Sequence, residues 1–139
     1  MARAGRRMAM PEVNLHFAWA WMLAGMLLGA GIGLFFHQRD WLGGFGSWRR
    51  RMVRLAHIAF LGTGLLNLGF ALSAGHIAQD PGGDIVLSAV SVLFIIGAAT
   101  MPTVCLLAAW REPFRHLFFI PAMSLIIAAG AFLYRGLIA

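Results

Sequence analysis

The sequence predicts an all-α integral membrane protein, with four transmembrane helices in an up-down antiparallel bundle. Three observations lead there. Hydrophobic residues make up 60% of the 139 residues and charged residues only 12%, about half the charged share of an ordinary soluble domain. The apolar residues gather into four long runs. The links between those runs are short. One small soluble core has no room for this much apolar surface. The composition is also the reverse of a disordered chain, which is poor in apolar residues and rich in charge.

The four spans are expected at about 14–36, 53–73, 85–110 and 117–133, forming one domain behind a short Arg-rich N-terminal tail. Each is long enough to cross a hydrocarbon core of roughly 30 Å. Backbone groups in lipid must bond within the segment, so each span should be helical. Hydrophobicity without clear alternation argues against barrel strands. Arg3, Arg6 and Arg7 precede the first run, as in a signal peptide. That run is longer than a signal core and no small-x-small site follows, so it is expected to be the first membrane helix.

The first link, 37–51, holds Trp41, Gly43, Gly44, Gly46 and Trp48 and ends in Arg49-Arg50-Arg51. The second contains Asp80-Pro81-Gly82-Gly83-Asp84, which reads as a turn. The third is only Arg111 to Arg115. Short links make neighbouring helices antiparallel.

All 11 basic residues are arginine, against 5 acids, for a net charge of +6. The arginines flank apolar runs, so the positive-inside effect and anionic headgroups explain them better than nucleic acid does. Links one and three carry Arg39, Arg49, Arg50, Arg51, Arg54, Arg111 and Arg115; the other side carries Arg3, Arg6, Arg7 and Arg135. This excess places links one and three in the cytoplasm, with both termini on the non-cytoplasmic side, in a bacterial inner membrane. Trp41, Trp48 and Trp110 would mark one interface, and Trp19, Trp21 and Tyr134 the other. Arg49, Arg50, Arg51 and Arg54 are the candidate contacts to lipid or partner.

Packing signals are plentiful. Gly25, Gly29 and Gly33 are spaced by four, which puts them on nearly one face of the first helix. Gly62 and Gly64 in the second helix are the matching candidates. Pro102 should bend the third helix, with Thr100 and Thr103 placed to satisfy freed carbonyls. Thr63 and Asn67 lie mid-span, where a buried asparagine needs an interhelical partner.

Chemistry is scarce. The centres of the spans carry no charged residue, which disfavours a pump or transporter. Paired carboxylates, phosphate loops and nucleotide fingerprints are missing. The single cysteine, Cys105, excludes an intramolecular disulfide framework and a cysteine-only zinc site. The histidines are the remaining clue. His37, His57, His116 and Cys105 could share one membrane level, and His57 with His116 is the best-matched pair for axial ligation of haem b. Gly64 would leave room beside the macrocycle, and Arg50, Arg54 or Arg115 could pair its propionates. His57, Cys105 and Met52 offer a soft-metal set, without the methionine or paired-cysteine cluster such a site uses.

Two functions follow. The first is a non-catalytic accessory subunit of a larger membrane complex, respiratory or photosynthetic, with other integral membrane subunits and lipids as partners. The alternative is a small b-type cytochrome passing electrons between quinone and another redox centre.

Overall fold

A computed structural model describes residues 10–77 and 83–138. Helix α1 spans Met10–Phe35, α2 Trp48–Ile77, α3 Gly83–Trp110 and α4 Phe119–Ile138. A short 3-10 segment, Trp41–Gly43, lies in the first link, and a 3-10 helix, Glu112–Phe118, leads into α4. All four long helices are apolar enough to cross a membrane, and the chain is an integral membrane protein. The turn at Asp80-Pro81-Gly82 and the N-terminal arginines lie outside the described residues.

The helix boundaries depart from the hydropathy runs at the arginines. Helix α2 begins at Trp48 rather than at 53, so Arg49-Arg50-Arg51 form its first turn. Ser47 starts it: its Oγ accepts from the Arg50 amide at 3.2 Å, and its carbonyl accepts from the Arg51 amide. That is an N-cap serine bonding the third helical residue. Arginine is a good helix former, so charge ended the apolar run without ending the helix. The third link is likewise structured: Pro113 sits in the first positions of the 3-10 helix, which carries the chain to α4.

Consecutive helices pack antiparallel, and α1 also touches α3 lightly. The backbone of α4 packs on α3 and on the 3-10 helix. Toward α2 it sends side chains, with Phe132 edge-on to Phe70 at 5.4 Å. The bundle is therefore open on the side between α2 and α4. The apolar core lies near the termini end, where Phe70, Leu87, Val90, Phe94 and Ala128 cluster.

Small residues set two of the close approaches. A methyl group on Gly25 would lie 2.8 Å from Cβ of Phe60, and one on Gly64 would lie 2.6 Å from Cγ of Met22. Gly29 faces His57. These three let α1 and α2 meet closely. Gly33 and Gly62, also expected to pack against a neighbouring helix, have open space where a side chain would begin. The stripe therefore stops at Gly29. Gly97 does the same work between α3 and α4: a methyl group there would lie 2.6 Å from Leu125 and 3.4 Å from the Pro121 carbonyl.

Pro102 is fully buried within α3. Proline removes the bond to the carbonyl four residues back, here Ala98. The neighbouring hydroxyls bond other carbonyls: Thr100 donates to Ile96 at 2.7 Å and Thr103 to Ala99 at 2.7 Å. They bracket the freed group without reaching it.

Candidate functional site

Two clusters of polar chemistry stand out, one at each end of the α1–α2–α3 unit. At the Arg-rich end the centre is Arg50. Its side chain is fully buried. It donates to the carbonyls of Gln38, at 3.1 Å, and Phe36. Its guanidinium carbon lies 4.0 Å from the Phe45 ring centre, 4.8 Å from Phe36 and 5.4 Å from Trp41. The last turn of α1 has no basic residue of its own, although a helix C-terminus carries about half a negative charge. Arg50, reaching across from α2, supplies the cation. A planar guanidinium can bond carbonyls in its plane while rings cover its faces. Arg50 was expected on the lipid or partner surface with Arg49, Arg51 and Arg54. Those three are exposed; Arg50 is a structural clamp.

The first link folds around that clamp. Leu42, Gly43 and Gly44 all have positive φ, at 55°, 87° and 94°. Gly44, with ψ 171°, occupies a region that only glycine adopts readily. Ser47 Oγ donates to the Leu42 carbonyl at 2.7 Å and holds the turn. Trp48 Nε1 donates to the Ala108 carbonyl at 2.8 Å, tying the first turn of α2 to the end of α3. Beside it is a cleft of about 370 Å³ lined by Leu42, Trp48, Arg49, Trp110 and Glu112.

Toward the termini end, Asn14, Asn67 and Ser91 join α1, α2 and α3, and all three are buried. Asn14 Nδ2 donates to Asn67 Oδ1 at 2.8 Å and to the Ser91 carbonyl at 3.3 Å. Ser91 Oγ donates to Asn14 Oδ1. Asn67 Nδ2 donates to the carbonyls of Thr63, at 3.0 Å, and Phe94, at 3.2 Å. Thr63 bonds back to Ala59 at 2.6 Å. Each amide and hydroxyl in the cluster has a partner, which is the condition for a polar group to sit cheaply in lipid. The Asn67 partner from α1 was not foreseen; Asn14, a polar residue at the start of the first apolar run, was the available signal.

His16, His37, His57 and His116 do not form one site. His57 turns into α1: its Nδ1 lies 2.8 Å from the Gly25 carbonyl. A methyl group on Gly29 would sit 2.8 Å from Nδ1 and 3.0 Å from Nε2 of that ring. The imidazole thus fills the notch that Gly29 leaves. His116 is exposed on the 3-10 helix. His16 is exposed and within 2.7 Å of the Glu12 carbonyl through Nδ1; His37 is exposed beyond α1.

This arrangement does not fit haem. Iron on Nε2 of His57 would centre a macrocycle against the α1 backbone at Gly29, and Gly64 gives no room because Met22 occupies its face. Among the described residues no three His, Cys, Asp or Glu side chains gather as a metal site would require. Cys105 is buried within α3.

No protein-family model, curated protein or solved structure matches the chain.

Proposed function

We propose that the protein is a non-catalytic accessory subunit of a larger integral membrane complex, with other membrane subunits as partners. The observation that carries the reading is how the buried polar side chains are used. Asn14, Asn67, Ser91 and Thr63 are spent on bonds within and between α1, α2 and α3, and Ser124 donates to the Leu93 carbonyl at 2.7 Å to hold α4 on α3. Arg50 is spent on the end of α1. These groups build a scaffold: the amides and hydroxyls are bonded within it, and the Arg50 guanidinium, whose Nε is buried without a partner, is enclosed by aromatic rings. The Arg-rich end is the cytoplasmic side of a bacterial inner membrane in this reading, by the positive-inside rule.

The test is extraction in a mild detergent at native expression level. The reading expects the chain in a stable assembly with other membrane proteins at fixed stoichiometry. A folded chain that runs alone in every mild detergent tried would overturn it. Protein with a haem absorption band abolished by His57→Ala would replace it with the cytochrome reading.

A further inference from the structure

The open side of the bundle forms a groove between α2 and α4, floored by α3. Its lower part is a cavity of about 430 Å³. Leu55, Ile58 and Leu66 line one wall, Phe118 and Leu125 the other, with Met101 on the floor. From Leu55 to Leu66 the groove runs roughly 16 Å at 1.5 Å per residue, close to half of a hydrocarbon core of about 30 Å. It is the depth of one leaflet. Farther toward the termini end, Phe132 reaches across to Phe70 and bridges the two helices.

The end of the groove at the Arg-rich interface is cationic. Arg51 lies one helical turn before Leu55 on α2, and Arg115 lies one 3-10 turn before Phe118 on the opposite wall. Both are exposed, as is Arg54 beside Arg51. The acid nearest in register, Glu112, lines the separate cleft with Arg49. A one-leaflet apolar groove with arginines on both walls at the headgroup level matches one class of molecule by shape and charge. We propose that the groove is a binding site for a phospholipid with an anionic headgroup. One acyl chain lies between α2 and α4, and the phosphate sits between Arg51 and Arg115. The proposal stands whether or not the protein is an accessory subunit.

Gly62 explains how the groove stays open. It lines the cavity, is exposed, and has no atom within 4 Å of where a side chain would begin. A leucine there fills the acyl-chain space without pressing on the protein, and glycine-to-leucine favours helix. The fold therefore survives the substitution.

The experiment is native mass spectrometry of the full chain released from vesicles of equal phosphatidylglycerol and phosphatidylcholine. The expected result is one retained phosphatidylglycerol per chain, favoured about twenty-five-fold over phosphatidylcholine, since each of the two arginines at the headgroup favours the anion by roughly a factor of five. Gly62→Leu loses the adduct with unchanged helicity. The double variant Arg51→Gln and Arg115→Gln keeps an adduct but brings the ratio of the two lipids to about one. Equal retention of both lipids by the unaltered protein overturns the proposal. So does an adduct that persists in Gly62→Leu. A Gly62→Leu variant that loses a dimer instead of a lipid also overturns it, and assigns the groove to a second copy.

Discussion

Helices α1, α2 and α3 are stitched together at both ends, whereas α4 is attached along one side. The first three share the Asn14–Asn67–Ser91 cluster near the termini and the Arg50 and Trp48 bonds at the other end. Helix α4 is held by the Ser124 bond to Leu93, the Gly97 notch and the Phe132 contact, and Arg135 also has a partner. Burial follows position in the bundle: 44% of the most apolar stretch is buried in α3, 28% in α2, 22% in α1 and 17% in α4. In lipid the hydrophobic effect does not drive helices together, so close packing and polar bonds must do so. The interhelical clusters described above join the three-helix unit, while α4 meets α3 through the Gly97 notch and the Ser124 bond.

The largest expected effect falls on that unit at Arg50. Arg50→Leu removes the cation from the end of α1 and strands the carbonyls of Phe36 and Gln38 beside three unpaired ring faces. Hydrogen bonds to charged groups contribute about 1.5–3 kcal/mol each, so the loss should be roughly 3 kcal/mol or more. Unfolding in a detergent–denaturant titration measures it. Arg50→Lys should rescue only part, because an ammonium does not present two donors in the plane of a stacked fork. Full rescue by lysine would show that charge alone is needed.

Gly29 comes next. A leucine there must displace the His57 ring, and with it the bond to the Gly25 carbonyl. Overpacking costs about 1–3 kcal/mol, and the lost bond adds to it. His57→Ala should relieve the clash, so the double variant should be more stable than Gly29→Leu alone. Gly97→Leu tests the other side of the comparison. It pushes Leu125 and the Pro121 carbonyl away and should cost about 1–3 kcal/mol. The expected damage is local: protease reaches the segment Glu112–Phe118 faster while α1–α2–α3 stays helical. Simultaneous loss of all four helices would show that α4 is no separate attachment.

Much of this was legible in the sequence, and what was not has a physical reason. Long apolar runs reveal spans because the bilayer fixes their length, and glycines spaced by four revealed the face of α1 at Gly25 and Gly29. The beginning of α2 was hidden because Arg49-Arg50-Arg51 ended the hydropathy, while helix formation depends on caps such as Ser47. Burial of Arg50 was hidden more deeply. It needs Phe36, Trp41 and Phe45 folded over one guanidinium, and hydropathy treats every arginine as exposed. His57 and His116 could be placed at one level from their position along the helices, but not in direction. The direction of His57 depends on where α1 packs, which Gly29 signals only once His57 is known to face it.

The Asn14–Asn67 pair carries the smallest expected effect and discriminates most finely. Each asparagine retains partners when the other is lost: Asn14 still bonds Ser91, and Asn67 still bonds the carbonyls of Thr63 and Phe94. Each single leucine substitution thus removes three bonds, one of them the Asn14–Asn67 bond, and leaves the other amide partly satisfied. The pair is best measured as a cycle of Asn14→Leu, Asn67→Leu and the double variant. Interhelical bonds in membranes average about 0.6 kcal/mol and reach about 1.7 in such cycles. Ser91 makes the cluster cooperative, since its hydroxyl donates to the same Asn14 amide that donates to Asn67. The coupling should therefore lie in the upper half of that range, and Ser91→Ala should bring it toward the average. A coupling indistinguishable from zero, with Ser91 intact, would mean that the two amides are bonded independently. The three-helix unit would then owe its cohesion to the Arg50 end and the glycine notches, and its contrast with α4 would rest on packing rather than on polar bonds.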